Sequence, residues 1–271
     1  MTEDSLYLSF SGIRVHFCIV RPDIPVRSRM LMLSSPLIST FHWRKLLPEL
    51  AGLGCLAVLM DLPGFGRSDC DAPQDVDVRS NLIWGVLDHV DRVTDKPLST
   101  WHLTGHGIAC ATILRMAIQY PDSTKSQIHI SPMFSIGPAS RRSGAMERWY
   151  DQNVPYSGRF RRVIEDYSGF PMDDYIVDRM RTPLLRPGMR ETFARMLRKS
   201  ASPPRQCARF CPTMALLGGR DPLMDATRLA QIQALLPEAE VHRLASAGHF
   251  PMETHSKALR DYLRGWLRYN D

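Results

Sequence analysis

The sequence predicts an α/β protein, with a mostly parallel central sheet flanked by helices and a helical segment inserted between two strands. Three observations predict it. Short apolar runs alternate with stretches of helical spacing, the order that repeated strand–helix units produce. Runs such as residues 56–60 are apolar throughout, as strands covered on both faces must be. Between residues 137 and 207 the strand signal stops, and the chain becomes helical, arginine-rich and broken by prolines. With 271 residues, 44% hydrophobic and 23% charged, the chain suits one large domain or a domain carrying a subdomain.

The elements follow in order. Residues 6–20 alternate around Ser11-Gly12, which reads as a hairpin turning on that dipeptide. Residues 30–33 form a short buried strand. Trp43, Leu46, Leu47 and Leu50 recur at helical spacing, so residues 41–53 are expected as one helix ending near Gly54. The strand at 56–60 runs into the turn-rich Asp61-Leu-Pro-Gly-Phe-Gly-Arg-Ser-Asp69. A helix over 78–90, a strand over 100–104, a helix over 108–120 stopped by Pro121 and a strand over 127–130 come next. Beyond the inserted segment, strands at 213–217 and 240–244 bracket a helix at 226–236, and a last helix covers 257–269. No internal repeat or low-complexity tract interrupts the pattern.

Several functional classes are excluded on composition. No apolar run approaches the roughly 18 residues that a membrane-spanning helix needs. The acidic start Met-Thr-Glu-Asp-Ser carries no basic-then-apolar leader, and the cysteines at 18, 55, 70, 110, 207 and 211 are scattered. A cytoplasmic protein with free thiols is therefore expected. Cys207-x3-Cys211 has no second pair to complete a zinc site, so neither a metal nor any other cofactor is expected.

The net charge of +6 is unevenly placed. Residues 141–209 hold fourteen arginines and one lysine against eight acids, while the remainder is nearly neutral. That segment lacks the interleaved aromatics of a single-strand binder, and no nucleic-acid motif is present. The expected partner is a small-molecule substrate, with no nucleic acid and no membrane. The arginines read either as solvated helix faces or as attraction for an anionic substrate or carrier.

Four segments carry a resemblance. Asp61-Leu-Pro-Gly-Phe-Gly-Arg-Ser68 is similar to the loop after the fourth strand of the α/β-hydrolase superfamily. His102-Leu-Thr-Gly-His-Gly-Ile-Ala-Cys110 lies at that family's nucleophile elbow. Leu217-Gly-Gly-Arg-Asp-Pro222 resembles its acid loop, and Ala247-Gly-His-Phe-Pro251 its histidine loop. The likeness runs from about residue 6 to 267 and implies an α/β-hydrolase fold. It divides the chain into a first core part (1–136), a helical cap (137–207) and a second core part (208–271). Such a cap lies over the active site in epoxide hydrolases, haloalkane dehalogenases and proline iminopeptidases.

The resemblance also exposes what is missing. The family's elbow pattern is G-x-S-x-G, in which a sharp strand-to-helix turn projects the nucleophile towards a histidine. Here it reads Gly105-His106-Gly107-Ile108-Ala109. Gly107 offers no group that can attack. In the oxyanion segment the family's His-Gly-x aligns with Ser34, Ser35 and Pro36, and proline has no N–H to donate. The Ile108 N–H then remains as sole donor, and losing one such donor costs about 2.7–4 kcal/mol of transition-state stabilisation. A one-residue gap would instead give the role to Leu37.

Asp221 and His249 stand in the family's acid-then-histidine order. The implied dyad is a poised base without a nucleophile, suited to proton transfer rather than acyl transfer. Three functions are consistent with it. The first is cofactor-free decarboxylation, elimination, isomerisation or cyclisation of a small carbonyl compound. The second is ligand or partner binding by an inactive relic. The third is residual ester hydrolysis by histidine-activated water.

Bland readings stand beside these. Glycine at 107 relieves a strained backbone and so fits a relic equally well. His106 is expected to pack, His16 and His42 to be structural or exposed, and Cys110 to fill a helix–sheet contact. Ile108, His106, Ser35 and Pro36 are the candidates for substrate contact around the elbow, though a strand-end turn also explains Ser34 and Ser35. In the cap, Phe160, Ile164, Tyr167, Tyr175 and Leu184 are expected to cover the pocket. Arg159, Arg161, Arg162, Arg179, Arg181 and Arg186 are expected to face water.

Overall fold

A computed structural model describes residues 1–94, 100–135, 139–199 and 211–270. Strands β1 (Thr2–Phe10) and β2 (Ile13–Arg21) form the hairpin. Its two-residue turn places Ser11 and Gly12 at φ 49° and 85°, the positive pair that matches the twist of antiparallel strands. β3 (Ser28–Ser34), β4 (Cys55–Asp61), β5 (Trp101–His106), β6 (Thr124–Ile130), β7 (Thr213–Gly218) and β8 (Glu240–Leu244) complete one sheet of eight strands. The order is β1-β2-β4-β3-β5-β6-β7-β8. β1–β2 and β2–β4 pair antiparallel, and every later neighbour is parallel. This is the α/β-hydrolase architecture expected from the sequence.

Every residue of β3, β4 and β5 is buried, which explains their largely apolar character, interrupted by Arg29, Asp61, His102 and His106. At the edge, β8 buries only Leu244 and keeps charged side chains outward, a composition that discourages pairing with another chain. The helices outside the β6–β7 connection are α1 (Leu47–Gly52), α2 (Val76–Val93), α3 (Ala109–Gln119), α8 (Ala226–Leu235), α9 (Pro251–Thr254) and α10 (Ser256–Asn270). α2 packs on α3, and α1 on α10. The Asp75 side chain caps α2 by accepting from the N–H groups of Asp77 and Val78. None of the described helices is long and apolar enough to cross a membrane.

One expected helix divides. Residues 41–53 form a 3-10 turn (Thr40–Trp43) followed by α1, not one continuous helix. Pro48 is the reason: inside a helix its ring would clash with the Arg44 carbonyl, and it has no N–H to bond it. In the first turn of a new helix both problems vanish. The short α9, also opened by a proline, has no counterpart among the expected elements.

Between β6 and β7 lie α4 (Ala139–Asn153), α5 (Ser157–Ser168), α6 (Asp174–Arg181) and α7 (Met189–Lys199). The expected boundaries at 137 and 207 fall outside the described residues, as does Cys207. Phe160, Ile164 and Leu184 are buried, but Tyr175 is 59% exposed. α6 turns Val177 and Met180 inward, and the Tyr175 ring rests edge-on against Phe41 at its outer margin. Arg159 and Arg162 are exposed. Arg161 and Arg181 instead lie half-buried and donate to the backbone carbonyls of Met172 and Val154, which staples the segment together.

Candidate active site

The elbow joins β5 to α3. The Gly107 N–H donates to the Ile130 carbonyl (3.0 Å), and its own carbonyl accepts from Cys110 (3.1 Å) and Met133 (3.0 Å). These three bonds fix a φ of +56°, a left-handed conformation that costs any other L-residue roughly 1–3 kcal/mol. A Cβ built on Gly107 would lie 3.3 Å from Ser35 Cβ, 3.4 Å from Ser35 Oγ and 3.5 Å from His249 Nε2. The apex of the turn therefore points at the histidine.

His249 is carried by the loop between β8 and α9. Its Nδ1 lies 2.7 Å from Asp221 Oδ2, and the pair is buried. Asp221 follows β7, and its other oxygen accepts from the Leu223 N–H at 2.9 Å. The two loops touch: a Cβ on Gly219 would meet the Ala245 carbonyl oxygen at 2.4 Å, so only glycine permits this approach. A carboxylate can only accept, so the imidazole carries its proton on Nδ1. That leaves the lone pair of Nε2 facing the position above Gly107.

His106 connects the two sides of the elbow. Its Nε2 lies 2.8 Å from the His249 backbone carbonyl and its Nδ1 lies 2.9 Å from Ser35 Oγ. Burial, reinforced by the neighbouring His249, holds the His106 pKa well below the ordinary value, so the ring is neutral. The carbonyl demands a proton on Nε2, so Nδ1 is bare and the Ser35 hydroxyl must donate to it. Both nitrogens of His106 are committed within the protein. Ser35 turns its oxygen lone pairs, not its proton, to the remaining space.

Pro36 occupies the second position of a turn closed by Ile38 N–H to the Ser35 carbonyl at 3.1 Å, a place that suits its fixed φ. Ile108, at the N-terminal end of α3, is 4% exposed. Cys110 is fully buried, its thiol donates to the Gly105 carbonyl at 3.2 Å, and burial pushes its pKa up. It is a packing residue. Ser34 is also occupied, accepting from Trp43 Nε1 at 2.9 Å. His16 and His42 are both buried, not exposed. No cluster of three metal-ligating side chains occurs among the described residues.

The sequence pattern did not single out Tyr167 as a holder of the histidine. The His249 N–H donates to the Tyr167 carbonyl at 2.7 Å, where the C-terminal end of α5 presses on the histidine loop. Because any residue supplies a backbone carbonyl, only the three-dimensional course of α5 reveals this contact. The arrangement brings together the His249 imidazole held by Asp221, the start of α3 at Ile108, and Gly107, which bears no side chain at the turn.

Comparison with known proteins gives a consistent picture. Residues 37–262 match the alpha/beta hydrolase family. A curated mouse protein, sn-1-specific diacylglycerol lipase ABHD11, is 26% identical over 176 residues, 59% of this chain. The match spans only 56% of that relative's length. Among solved structures, the epoxide hydrolase CorEH superposes with a TM-score of 0.77 at 15% identity, covering 97% of both chains. The haloalkane dehalogenase DbeA from Bradyrhizobium elkani gives 0.77 at 15% identity, covering 98% of both. An esterase from Thermogutta terrifontis gives 0.74 at 17% identity, covering 99% of both. At such identities the structural likeness establishes the fold.

Proposed function

The chain belongs to the alpha/beta hydrolase family, and on that premise we propose that it has kept the family's acid–histidine pair for proton transfer without covalent catalysis. The reaction is cofactor-free decarboxylation, elimination, isomerisation or cyclisation of a small carbonyl compound. His249 Nε2 removes a proton next to the carbonyl, or takes the proton of a β-keto acid's carboxyl group and returns it to carbon once carbon dioxide has left and the enolate has formed. Asp221 holds the imidazole in the required tautomer and stabilises the imidazolium that forms. The Ile108 N–H and the positive end of α3 favour the developing enolate. A positioned general base of this kind contributes typically 10²–10⁴-fold in rate.

One observation carries the reading: the 2.7 Å His249–Asp221 bond survives while the position 3.5 Å from Nε2 bears no side chain. Gly107 and Ser35 are complementary in this respect. The space that a nucleophile's side chain would take at 107 lies directly against Ser35. The test is turnover of a panel of β-keto acids and enolisable ketones by the wild-type protein and by His249→Ala. Loss of activity in the variant, with no labelling of wild type by a fluorophosphonate, supports proton transfer. Unchanged ligand affinity and no turnover by either protein would instead identify an inactive binding protein.

A second reading rests on the same space. A water above Gly107 would reach both His249 Nε2 and the Ser35 lone pairs, and the mouse relative is named as a lipase. Hydrolysis by that water would need no serine. Turnover of activated esters well above background, with the pH dependence of a single histidine, would favour it over enolate chemistry.

A further inference from the structure

A cavity of about 450 Å³ opens elsewhere, between the hairpin edge of the sheet, the loop after β4, and α6 with the 3-10 turn that follows it. It shares no lining residue with the His249 centre. Its apolar wall includes Leu47, Leu59, Phe41 and Tyr175, and arginines 44, 67, 179 and 186 border it. Arg44 is neutralised by a bidentate pair with Glu253. Among the described residues, none of the other three forms an ion pair within 4.0 Å of a carboxylate; Arg67 and Arg186 act on the buried Asp61 only from a longer distance. Arg186 donates to the backbone carbonyls of Gly66 and Ser68, which anchors its charge without cancelling it. Arg179 lies over the Phe41 ring, 4.6 Å from its centroid.

The floor supplies a second, independent observation. His16 lines the cavity, is 1% exposed, and its Nδ1 has no hydrogen-bond partner. Its Nε2 is satisfied by Ser5 Oγ at 2.9 Å, and the nearest carboxylate oxygen, on Asp61, is 4.0 Å from Nδ1. That carboxyl is engaged with the N–H groups of Thr40 and Arg67. A buried nitrogen without a partner is costly unless something fills the role. With the Ser5 hydroxyl donating to Nε2, the imidazole presents an N–H that an anion would accept. Three acids border the cavity: Asp61, buried at the floor, where burial raises its pKa to about 6 against the pull of Arg67 and Arg186, and Glu3 and Asp178, both exposed at its outer limit.

We propose that this cavity is a second ligand site, separate from the His249 centre, for an organic monoanion with an apolar body, such as a medium-chain carboxylate. Arg67, Arg179 and Arg186 take the carboxylate, His16 adds a neutral donor from the floor, and the tail lies along Leu47, Leu59 and the Phe41–Tyr175 pair. The volume falls in the range of small-molecule sites, and an apolar wall with few fixed polar groups is their usual construction. Guanidinium groups provide paired N–H donors that match a carboxylate.

The probe is octanoate, measured by calorimetry and by ligand-observed NMR on the whole chain, with octanamide as the neutral control. The expected result is saturable octanoate binding, with octanamide at least tenfold weaker. The double variant Arg67→Gln/Arg179→Gln should weaken octanoate at least tenfold while leaving octanamide unchanged. His249→Ala should bind octanoate as wild type does, so failure of the catalytic reading and failure of this one are separable. The amide comparison uses wild type alone and stands even if the double variant folds poorly. Equal affinity for acid and amide, absence of saturable binding at millimolar octanoate, or loss of binding in His249→Ala would each overturn the proposal.

Discussion

Replacing Gly107 by serine places an oxygen where relatives of this fold carry their nucleophile, and its consequences can be worked from the structure. The φ of +56° imposes roughly 1–3 kcal/mol of strain on any side-chain-bearing residue. The new Cβ would stand 3.3 Å from Ser35 Cβ, so Ser35 must yield by a few tenths of an ångström. For a chain of this size each kcal/mol lowers the melting temperature by about 2–4 °C, so a fall of about 2–12 °C is expected. In return, the hydroxyl would start from a carbon 3.5 Å from His249 Nε2, within hydrogen-bonding reach of an oriented base. Gly107→Ser should therefore react with a fluorophosphonate, visible as a mass increase at residue 107, where wild type does not. With Pro36 aligned at the oxyanion position, ester turnover should remain slow, a missing donor costing about 10²–10³-fold, whereas fast turnover would point to the Leu37 N–H in that role. A variant more stable than wild type, or wild type that labels as readily as the variant, would refute this reasoning.

Other expectations are more compact. Asp221→Asn removes the acceptor that fixes the His249 tautomer and should depress turnover by orders of magnitude at little change in substrate affinity, measured as a kcat loss with KM retained. Ser35→Ala strips His106 Nδ1 of its donor in a buried setting and should cost about 1–3 kcal/mol in denaturant unfolding, a value near zero contradicting the assigned proton order. Burial lowers His16 and His42 to about 4 and His129 to about 3. The unfolded chain therefore binds more protons than the folded one below about pH 6.5, and stability must fall as pH drops from there towards 4. Asp61, raised to about 6 by burial, and Asp91, also raised, oppose the trend, but His106, held well below its ordinary value, joins the other three histidines in setting it. His129→Gln should flatten the slope by roughly 3 kcal/mol across that window, and an unchanged slope would show that His129 is not buried neutral.

Much of this molecule was legible in its sequence because the signals were local. Unbroken apolar runs reported strands covered on both faces, and the punctuation by Gly107, Asp221 and His249 lay in loops whose spacing ties them to strand ends. The helix expected at 41–53 divides for an equally local reason, because Pro48 can open a helix but cannot sit inside one, whatever the spacing of Trp43, Leu46, Leu47 and Leu50. The rest needed the folded chain. No pattern announces that the Tyr167 carbonyl holds the His249 N–H, or that the Ser35 hydroxyl gives its proton to His106, because partners more than seventy residues apart meet only through the sheet. An excess of arginines between 141 and 209 was readable, either as solvated helix faces or as attraction for an anion. Which of them lack a partner was not. Arg190 is spent on Asp151, whereas Arg179 is not neutralised within 4.0 Å.

Deuterium incorporation tests the central claim most directly. Enolisable β-keto acids and ketones are incubated with the protein in D₂O, and the carbon next to the carbonyl is followed by proton NMR while intact mass is recorded on the same sample. Exchange or deuterated product catalysed by wild type, abolished in His249→Ala, with a protein mass that never changes, is the predicted result. A covalent acyl or alkyl adduct accumulating during turnover, or catalysis that persists without His249, would contradict it.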